Sequence, residues 1–128
     1  MFTTLEFWVW VASALLIVAY GLAGAMKTFR SIPDLAKMMV WPGDVPQPMV
    51  RFVGIVEIAG ALGLFLPVLT GMLPWLTPLA AIGLSLIQIL AIGFHAQRGE
   101  TQKTLIANLV LLALSLFVLW GRRALLGL

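Results

Sequence analysis

The stretch Arg51–Pro67, RFVGIVEIAGALGLFLP, decides how the rest of this chain is interpreted. It has the composition of a membrane-spanning helix, yet it carries one carboxylate, Glu57, inside the apolar run. An acid at the centre of a spanning helix costs roughly 2.5–3.5 kcal/mol, so Glu57 needs a partner, a neutral protonation state or a use. Gly54, Glu57 and Ala61 recur at three- and four-residue spacing and share one helix face. Small residues beside an acid let a neighbouring helix or a ligand approach closely.

The composition of the whole chain is that of an integral membrane protein. Of its 128 residues, 62% are hydrophobic and only 10% are charged, whereas a soluble domain has about 25% charged residues. Apolar runs of about eighteen residues recur, each long enough to cross a hydrocarbon core of about 30 Å. The length predicts a single membrane domain over residues 1–128. The lipid bilayer is therefore the first predicted partner.

Charge and cysteine usage exclude several other classes. The net charge of +3 and the pI near 10 arise from Lys and Arg scattered at helix ends, which is typical of membrane anchoring and not of nucleic-acid binding. The chain has no cysteine, which removes disulfides, thiol exchange and cysteine-ligated metal. With one His and scattered carboxylates, no metal site is predicted.

Four spans are predicted, at about residues 7–26, 52–69, 74–94 and 104–120. A signal peptide is the alternative for the first, because Ala23–Ala25 resembles a cleavage site, but its apolar run is too long and no basic residue precedes it. Between the first two spans the segment Lys27–Met49 is polar. It predicts a Pro-rich interfacial loop with a short amphipathic helix, Asp34–Trp41. The connections predict an all-α, up-down-up-down four-helix bundle.

Orientation follows from the distribution of basic residues. The face with the long loop carries most of them: Lys27, Arg30, Lys37, Arg51, Arg98 and Lys103. The opposite face has only Arg122 and Arg123. The positive-inside rule therefore predicts a bacterial inner (plasma) membrane protein with the long loop in the cytoplasm and both termini outside.

Each span places one polar side chain at a similar depth below the long-loop face, roughly 6–11 Å by the helical rise. These side chains are Tyr20, Glu57, Gln88 and Asn108. Lys27, Arg51 and His95 lie at helix ends, from which they can reach toward the Glu57 charge. The other half of the bundle has almost nothing polar, so we expect a pocket that opens toward the long-loop side.

A structural interpretation of the same residues stays open. Asn and Gln in membrane helices often make interhelical hydrogen bonds worth about 0.6 kcal/mol, and this applies to Gln88 and Asn108. His95, at the membrane boundary, fits a surface or capping role. Glu57 favours a functional interpretation because an intramembrane acid is costly.

Three segments together resemble the DoxX-like family of small four-helix membrane proteins. They are GLAGAMK at Gly21–Lys27, GIVEIAGALGLFLP at Gly54–Pro67, and HAQRGE at His95–Glu100 followed by Asn108. The most specific series is Gly54, Glu57, Gly60, Gly63 and Pro67. The resemblance implies a site formed by Lys27, Glu57, His95 and Asn108. The family name is linked to subunits of thiosulfate:quinone oxidoreductase, and some relatives are implicated in redox-stress complexes or receptor assembly.

We expect a binding protein or accessory subunit that is not an enzyme by itself. Its ligand-binding residues would be Tyr20, Lys27, Glu57, Gln88, His95 and Asn108, and its ligand a quinone- or lipid-like molecule. No intrinsic cofactor is predicted, and a membrane oxidoreductase or a second copy of the chain is the expected protein partner. The alternative is a catalytic oxidoreductase subunit in which Glu57 and His95 transfer protons. A small proton-coupled exporter fits less well, because such exporters carry their acid in the first helix.

Overall fold

The computed structural model describes residues 3–39, 45–99 and 102–127, with side chains for 3–37, 45–99 and 105–127. Within these ranges the regular structure is entirely helical. The helices are α1 (Thr4–Phe29), α2 (Ile32–Met39), α3 (Gln47–Gly63), α4 (Leu66–Thr70), α5 (Leu76–Gln97) and α6 (Gln102–Arg122), followed by a 3-10 turn (Arg123–Leu126).

Four stretches of the described chain are long and apolar enough to cross a membrane. They are Thr4–Phe29, Gln47–Thr70, Leu76–Gln97 and Leu105–Leu126. This confirms the all-helical class and the four predicted spans. Large apolar side chains on the outer faces, such as Phe52, Met72 and Leu90, are exposed in the isolated chain. These faces are suited to contact with lipid.

The helices extend beyond the predicted spans into polar sequence. α1 begins at Thr4, because the Thr3 side chain caps it by accepting a hydrogen bond from the Glu6 N–H at 3.0 Å. α3 begins at Gln47, five residues before the predicted start of its span, because Pro46 and Pro48 lie where a missing N–H costs nothing. The short helix predicted over Asp34–Trp41 is observed as α2, which begins two residues earlier, at Ile32; Val40 and Trp41 lie outside the described residues.

The second span is broken near its far end. α3 ends at Gly63, Leu64 and Phe65 form a turn, and α4 begins at Leu66. Pro67 explains the break, since its ring has no N–H to donate and clashes with the carbonyl four residues earlier. Gly71 then ends α4 with a φ of 72°, a left-handed conformation that glycine adopts without strain.

Each long helix packs against two others, so that the four form a ring. α1 contacts α3 and α6, and α5 contacts α6 and α3. The buried core between them includes Leu16, Tyr20, Leu64, Leu84 and Val118. The end of α1 meets the start of α3 through Arg51, and the start of α1 meets the end of α6 through Glu6.

α1 and α3 cross with their backbones close together at two glycines. A Cβ built on Gly24 would lie 2.7 Å from the Gly54 carbonyl oxygen, and one built on Gly54 would lie 2.8 Å from the Gly24 carbonyl oxygen. A Cβ at either position would meet the backbone of the opposite helix, which cannot move aside as the end of a side chain can, so glycine is required there. Small residues that let two helix backbones approach closely are typical of helix interfaces in lipid.

The crossing predicts a position-specific effect of alanine. Gly24→Ala should lower the free energy of unfolding by about 1–3 kcal/mol, because the added methyl group overpacks a backbone contact. Reversible denaturation in detergent micelles measures this loss. Gly21→Ala in the same helix is the matched control, since a Cβ there meets nothing within 4 Å. Equal stability of the two variants would contradict the close crossing.

Candidate functional site

Glu57 lies on the interior face of α3 and forms an ion pair with Lys27 of α1. The Lys27 Nζ to Glu57 Oε1 distance is 2.6 Å. The Glu57 side chain is only 4% exposed and that of Lys27 is 13% exposed, so the pair is largely screened from the surroundings. The face shared by Gly54, Glu57 and Ala61 is buried, as their spacing predicts. The carboxylate therefore points into the bundle and not toward lipid.

Two features bring Lys27 to this carboxylate. The first is the Gly24–Gly54 crossing, because a Cβ on Gly54 would come within 2.8 Å of the Lys27 Cβ. The second is Arg51, whose Nη1 donates to the carbonyl oxygens of Lys27 at 2.8 Å and Arg30 at 2.5 Å. The last carbonyl groups of a helix lack partners within that helix. Arg51 thus caps α1 and holds the backbone that carries Lys27.

Deeper in the bundle a second group of polar side chains surrounds Tyr20. Tyr20 is 1% exposed, Gln88 is 4% exposed and Ser115 is fully buried. The side chains of Gln88 and Ser115 approach the Tyr20 hydroxyl, which also lies within electrostatic reach of Glu57. Neither approach has the geometry of a hydrogen bond. Among the residues that the structure describes, the Tyr20 hydroxyl and the Gln88 Oε1 have no hydrogen-bond partner.

The buried serines nearby behave differently. Ser13, Ser85 and Ser115 each donate to the carbonyl oxygen four residues earlier, at 2.7–2.8 Å. Their hydroxyl groups are therefore satisfied within their own helices. Tyr20 and Gln88 have longer side chains that extend past their own backbone. No atom of the described residues forms a hydrogen bond with the Tyr20 hydroxyl or the Gln88 Oε1.

The structure brings together four of the six predicted site residues: Lys27 and Glu57 as an ion pair, and Tyr20 and Gln88 beside it. His95 is half-buried in the last turn of α5, with its ring edge-to-face against Phe94 at 5.5 Å between centroids. Asn108 is half-buried on α6, seven residues before Ser115. The membership of His95 and Asn108 in the site remains a prediction.

Sequence reasoning missed a second ion pair at the opposite end of the bundle. The Arg122 Nη1 lies 2.6 Å from Glu6 Oε1, and the guanidinium carbon of Arg122 is 4.9 Å from the centre of the Trp10 ring. Arg122 is 6% exposed. We expected almost no polar groups in this half. The sequence does carry a signal for this pair, because an acidic residue, Glu6, lies in the first turn of α1 and a basic residue, Arg122, lies in the last turn of α6.

An apolar groove of about 370 Å³ lies between α3, α4 and α5. Small residues widen it: Ala59, Gly60, Gly63, Ala80 and Gly83. Pro67, Leu76 and Leu79 line one part of it, and Val56, Leu84 and Ile87 line the rest. None of the six predicted site residues lines this groove.

Comparison with protein families gives one match. A model described as the DoxX-like family matches residues 11–118, which include the whole of α2, α3, α4 and α5 and all six predicted site residues. Comparison with curated proteins and with solved structures finds no match to this chain.

The buried ion pair predicts strong coupling between its two partners. Lys27→Met or Glu57→Gln alone should lower the free energy of unfolding by up to about 3 kcal/mol, because each leaves the other polar group buried without its partner. The double variant should lose less than the sum of the two. A double-mutant cycle measured by denaturation in micelles tests this. Lys37→Met, at an exposed lysine of α2, is the control, and additive losses would contradict the coupling.

Proposed function

The chain belongs to the DoxX-like family of integral membrane proteins, and we propose that it binds a small amphipathic molecule, quinone-like or lipid-like, as a binding protein or accessory subunit. The polar head of this molecule would lie in the bundle interior beside Glu57. The chain would act with a membrane oxidoreductase partner or as a homodimer, and it would perform no reaction by itself.

The observation that carries this proposal is the pair of unpartnered polar atoms on Tyr20 and Gln88. More than nine in ten buried polar groups in native proteins have a hydrogen-bond partner, and an exception calls for an explanation. Leaving a buried donor or acceptor unpaired costs about 1–3 kcal/mol. The Tyr20 hydroxyl can donate and the Gln88 Oε1 can accept. A ligand head with one carbonyl and one hydroxyl group would satisfy both.

The Lys27–Glu57 ion pair would give this site its polarity. An ammonium group and a carboxylate close to each other, both shielded from the surroundings, make strong hydrogen bonds to neighbouring polar groups. Water can satisfy the same atoms as a ligand head. Binding and stability of the same variants therefore have to be measured separately.

We further propose the up-down-up-down arrangement in a bacterial inner membrane, with the long loop in the cytoplasm and the termini outside. The Arg51 contacts with Lys27 and Arg30 at one end support it, as do the Glu6–Arg122 contacts at the other. Both join the start of one long helix to the end of another, as antiparallel neighbours require. The basic residues of the long-loop face support the orientation.

Single cysteines test the orientation, because the chain has none of its own. Lys37→Cys in α2 and Ala124→Cys after α6 replace exposed residues. A maleimide that does not cross membranes should label Ala124→Cys in intact cells and Lys37→Cys only after lysis. The reverse pattern would overturn the orientation. Labelling of both in intact cells would overturn the placement of the loop and the C-terminus on opposite sides.

Tyr20→Phe separates binding from stability. Loss of one hydrogen bond to a ligand should weaken quinone binding about tenfold. The stability of the ligand-free protein should stay equal or rise, because the hydroxyl has no partner to lose. Titration of the purified protein with a quinone, followed by its intrinsic Trp fluorescence, measures the first effect, and denaturation measures the second.

Two further variants complete this test. Ser85→Ala is the control, because its buried hydroxyl already donates to the Ala81 carbonyl oxygen, and its binding should match that of the wild type. Glu57→Gln should bind more weakly than the wild type. Equal binding by the wild type, Tyr20→Phe and Glu57→Gln would overturn the proposed site.

A further inference from the structure

The guanidinium group of Arg122 makes only some of the hydrogen bonds that it can donate. Its Nη1 lies 2.6 Å from Glu6 Oε1. Its Nε and Nη2 are buried and have no hydrogen-bond partner among the described residues. A buried donor without a partner costs free energy, and the cost is greater on a charged group. These two nitrogen atoms therefore require an acceptor from outside the described part of the chain.

The two unpartnered nitrogen atoms lie on the same edge of the planar group. The Nε–H and one N–H of Nη2 point in nearly the same direction, and this fork matches two oxygen atoms of one carboxylate or phosphate group. The face of the group is used separately, since its central carbon lies 4.9 Å from the centre of the Trp10 ring. Stacking of this kind leaves the edges free. The open edge is therefore a bidentate site for an oxyanion.

Helix packing fixes the position of this fork. A Cβ built on Gly121 would overlap a methyl group of Val9, so α6 and α1 are in close contact one residue before Arg122. Glu6 then holds the guanidinium group by one nitrogen atom, and Trp10 holds it by one face. Because the side chain is already held in place, binding of an anion costs little further ordering.

The charges at this end of the bundle favour an anion. Arg123 is exposed and its guanidinium carbon lies 4.8 Å from the centre of the Trp120 ring. Glu6 is the one acidic side chain that the sequence places here, because residues 7–26, 58–94 and 104–128 contain no Asp or Glu. Two arginines and one glutamate leave one positive charge without a counterpart. One anionic group would neutralise it.

The site lies at the level of the lipid headgroups. Arg122 is the last residue of α6 and Glu6 lies in the first turn of α1, near the ends of two membrane-spanning stretches. Trp10 and Trp120 beside it are of the residue type that is enriched at the membrane interface. Phospholipids present their phosphate groups at this depth, and inorganic phosphate reaches it from the water.

An anion reaches the fork only when a side chain moves, because both nitrogen atoms are covered. The two side chains that contact the guanidinium group, those of Glu6 and Trp10, are partly exposed, and residues 123–125 after it are exposed. Exposed side chains change rotamer within picoseconds to nanoseconds. The fork therefore lies next to mobile side chains at the end of the bundle, and no helix has to shift to uncover it.

We propose that the Nε and Nη2 edge of Arg122 binds one phosphate group, at the end of the bundle opposite the Lys27–Glu57 pair. The phosphate belongs to a phospholipid headgroup or is inorganic phosphate, and the chemistry of recognition is the same for both. This site is separate from the one around Glu57. It stands or fails independently of what binds there.

Arg122→Lys and Arg123→Lys are a matched pair for the test. Both variants keep a positive charge, but lysine has no fork of two parallel N–H groups. The full-length protein, in micelles of an uncharged detergent without phosphate, is titrated with phosphatidylglycerol, with diacylglycerol of the same acyl chains and with inorganic phosphate at constant ionic strength. A ligand that binds only the folded state raises the unfolding midpoint, and the rise with concentration gives an apparent dissociation constant.

The wild type should be stabilised by phosphatidylglycerol and not by diacylglycerol. Arg122→Lys should weaken phosphatidylglycerol binding about tenfold, the loss of one charge-assisted hydrogen bond. Arg123→Lys should stay within about twofold of the wild type, because the Arg123 Nη1 donates to the Trp120 carbonyl oxygen of its own helix.

Glu6→Gln gives a second and opposite result. It removes a negative charge beside the fork, so it should bind phosphatidylglycerol at least as tightly as the wild type. Its ligand-free form should be less stable, because Arg122 loses its ion-pair partner. Glu6→Gln decides the question alone if Arg122→Lys does not fold.

The remaining outcomes identify the source of the phosphate or overturn the proposal. Stabilisation by phosphatidylglycerol alone assigns the site to a lipid headgroup, and stabilisation by inorganic phosphate as well shows that the free anion is sufficient. Equal stabilisation by diacylglycerol would show that the acyl chains bind without the phosphate. Equal weakening by Arg122→Lys and Arg123→Lys would indicate a diffuse basic surface. Either result overturns the proposal, as do weaker binding by Glu6→Gln and a wild type that no phosphate compound stabilises.

Discussion

The structure depends on a close approach of two helices that places a lysine against a buried carboxylate. Gly24 and Gly54 allow α1 and α3 to touch along their backbones, and the Lys27 ammonium then lies 2.6 Å from Glu57. Without this approach the carboxylate would be an unpaired charge among apolar side chains, which is among the most costly arrangements in a membrane protein. Arg51 secures it from outside by capping the end of α1.

The buried polar groups described inside the bundle include some that have a hydrogen-bond partner and some that have none. The buried serines are satisfied by their own helices. Tyr20 and Gln88 extend further and leave a donor and an acceptor unmatched beside the ion pair. In a purely structural network of interhelical hydrogen bonds, each of these polar groups would have a partner in another helix. The open network in the interior, beside two charges, is the feature on which the proposed binding of an amphipathic molecule rests.

The two ends of the bundle are closed by different chemistry. At the long-loop end, Arg51 binds backbone carbonyl groups and leaves Glu57 to Lys27. At the other end, Arg122 binds Glu6 and stacks on Trp10, which ties the first spanning helix to the last. The recess between α3 and α5 lies between these ends, where glycine and alanine replace larger side chains. The bundle therefore has ion pairs or cation contacts at both ends and a recess lined by small residues on one side.

The sequence alone was sufficient to predict the properties that depend on residues close together along the chain. Hydropathy identified the four spans, and helical periodicity placed Gly54, Glu57 and Ala61 on one buried face, because both depend only on residues a few positions apart. The hydropathy pattern makes the second helix too short, since α3 begins between Pro46 and Pro48, within the segment predicted as a loop. Tertiary structure alone selected Lys27 among the candidate partners of Glu57, assigned Arg51 to the α1 carbonyl groups and paired Glu6 with Arg122. These choices depend on distances between helices, which helix packing sets and which the spacing along any one helix does not encode.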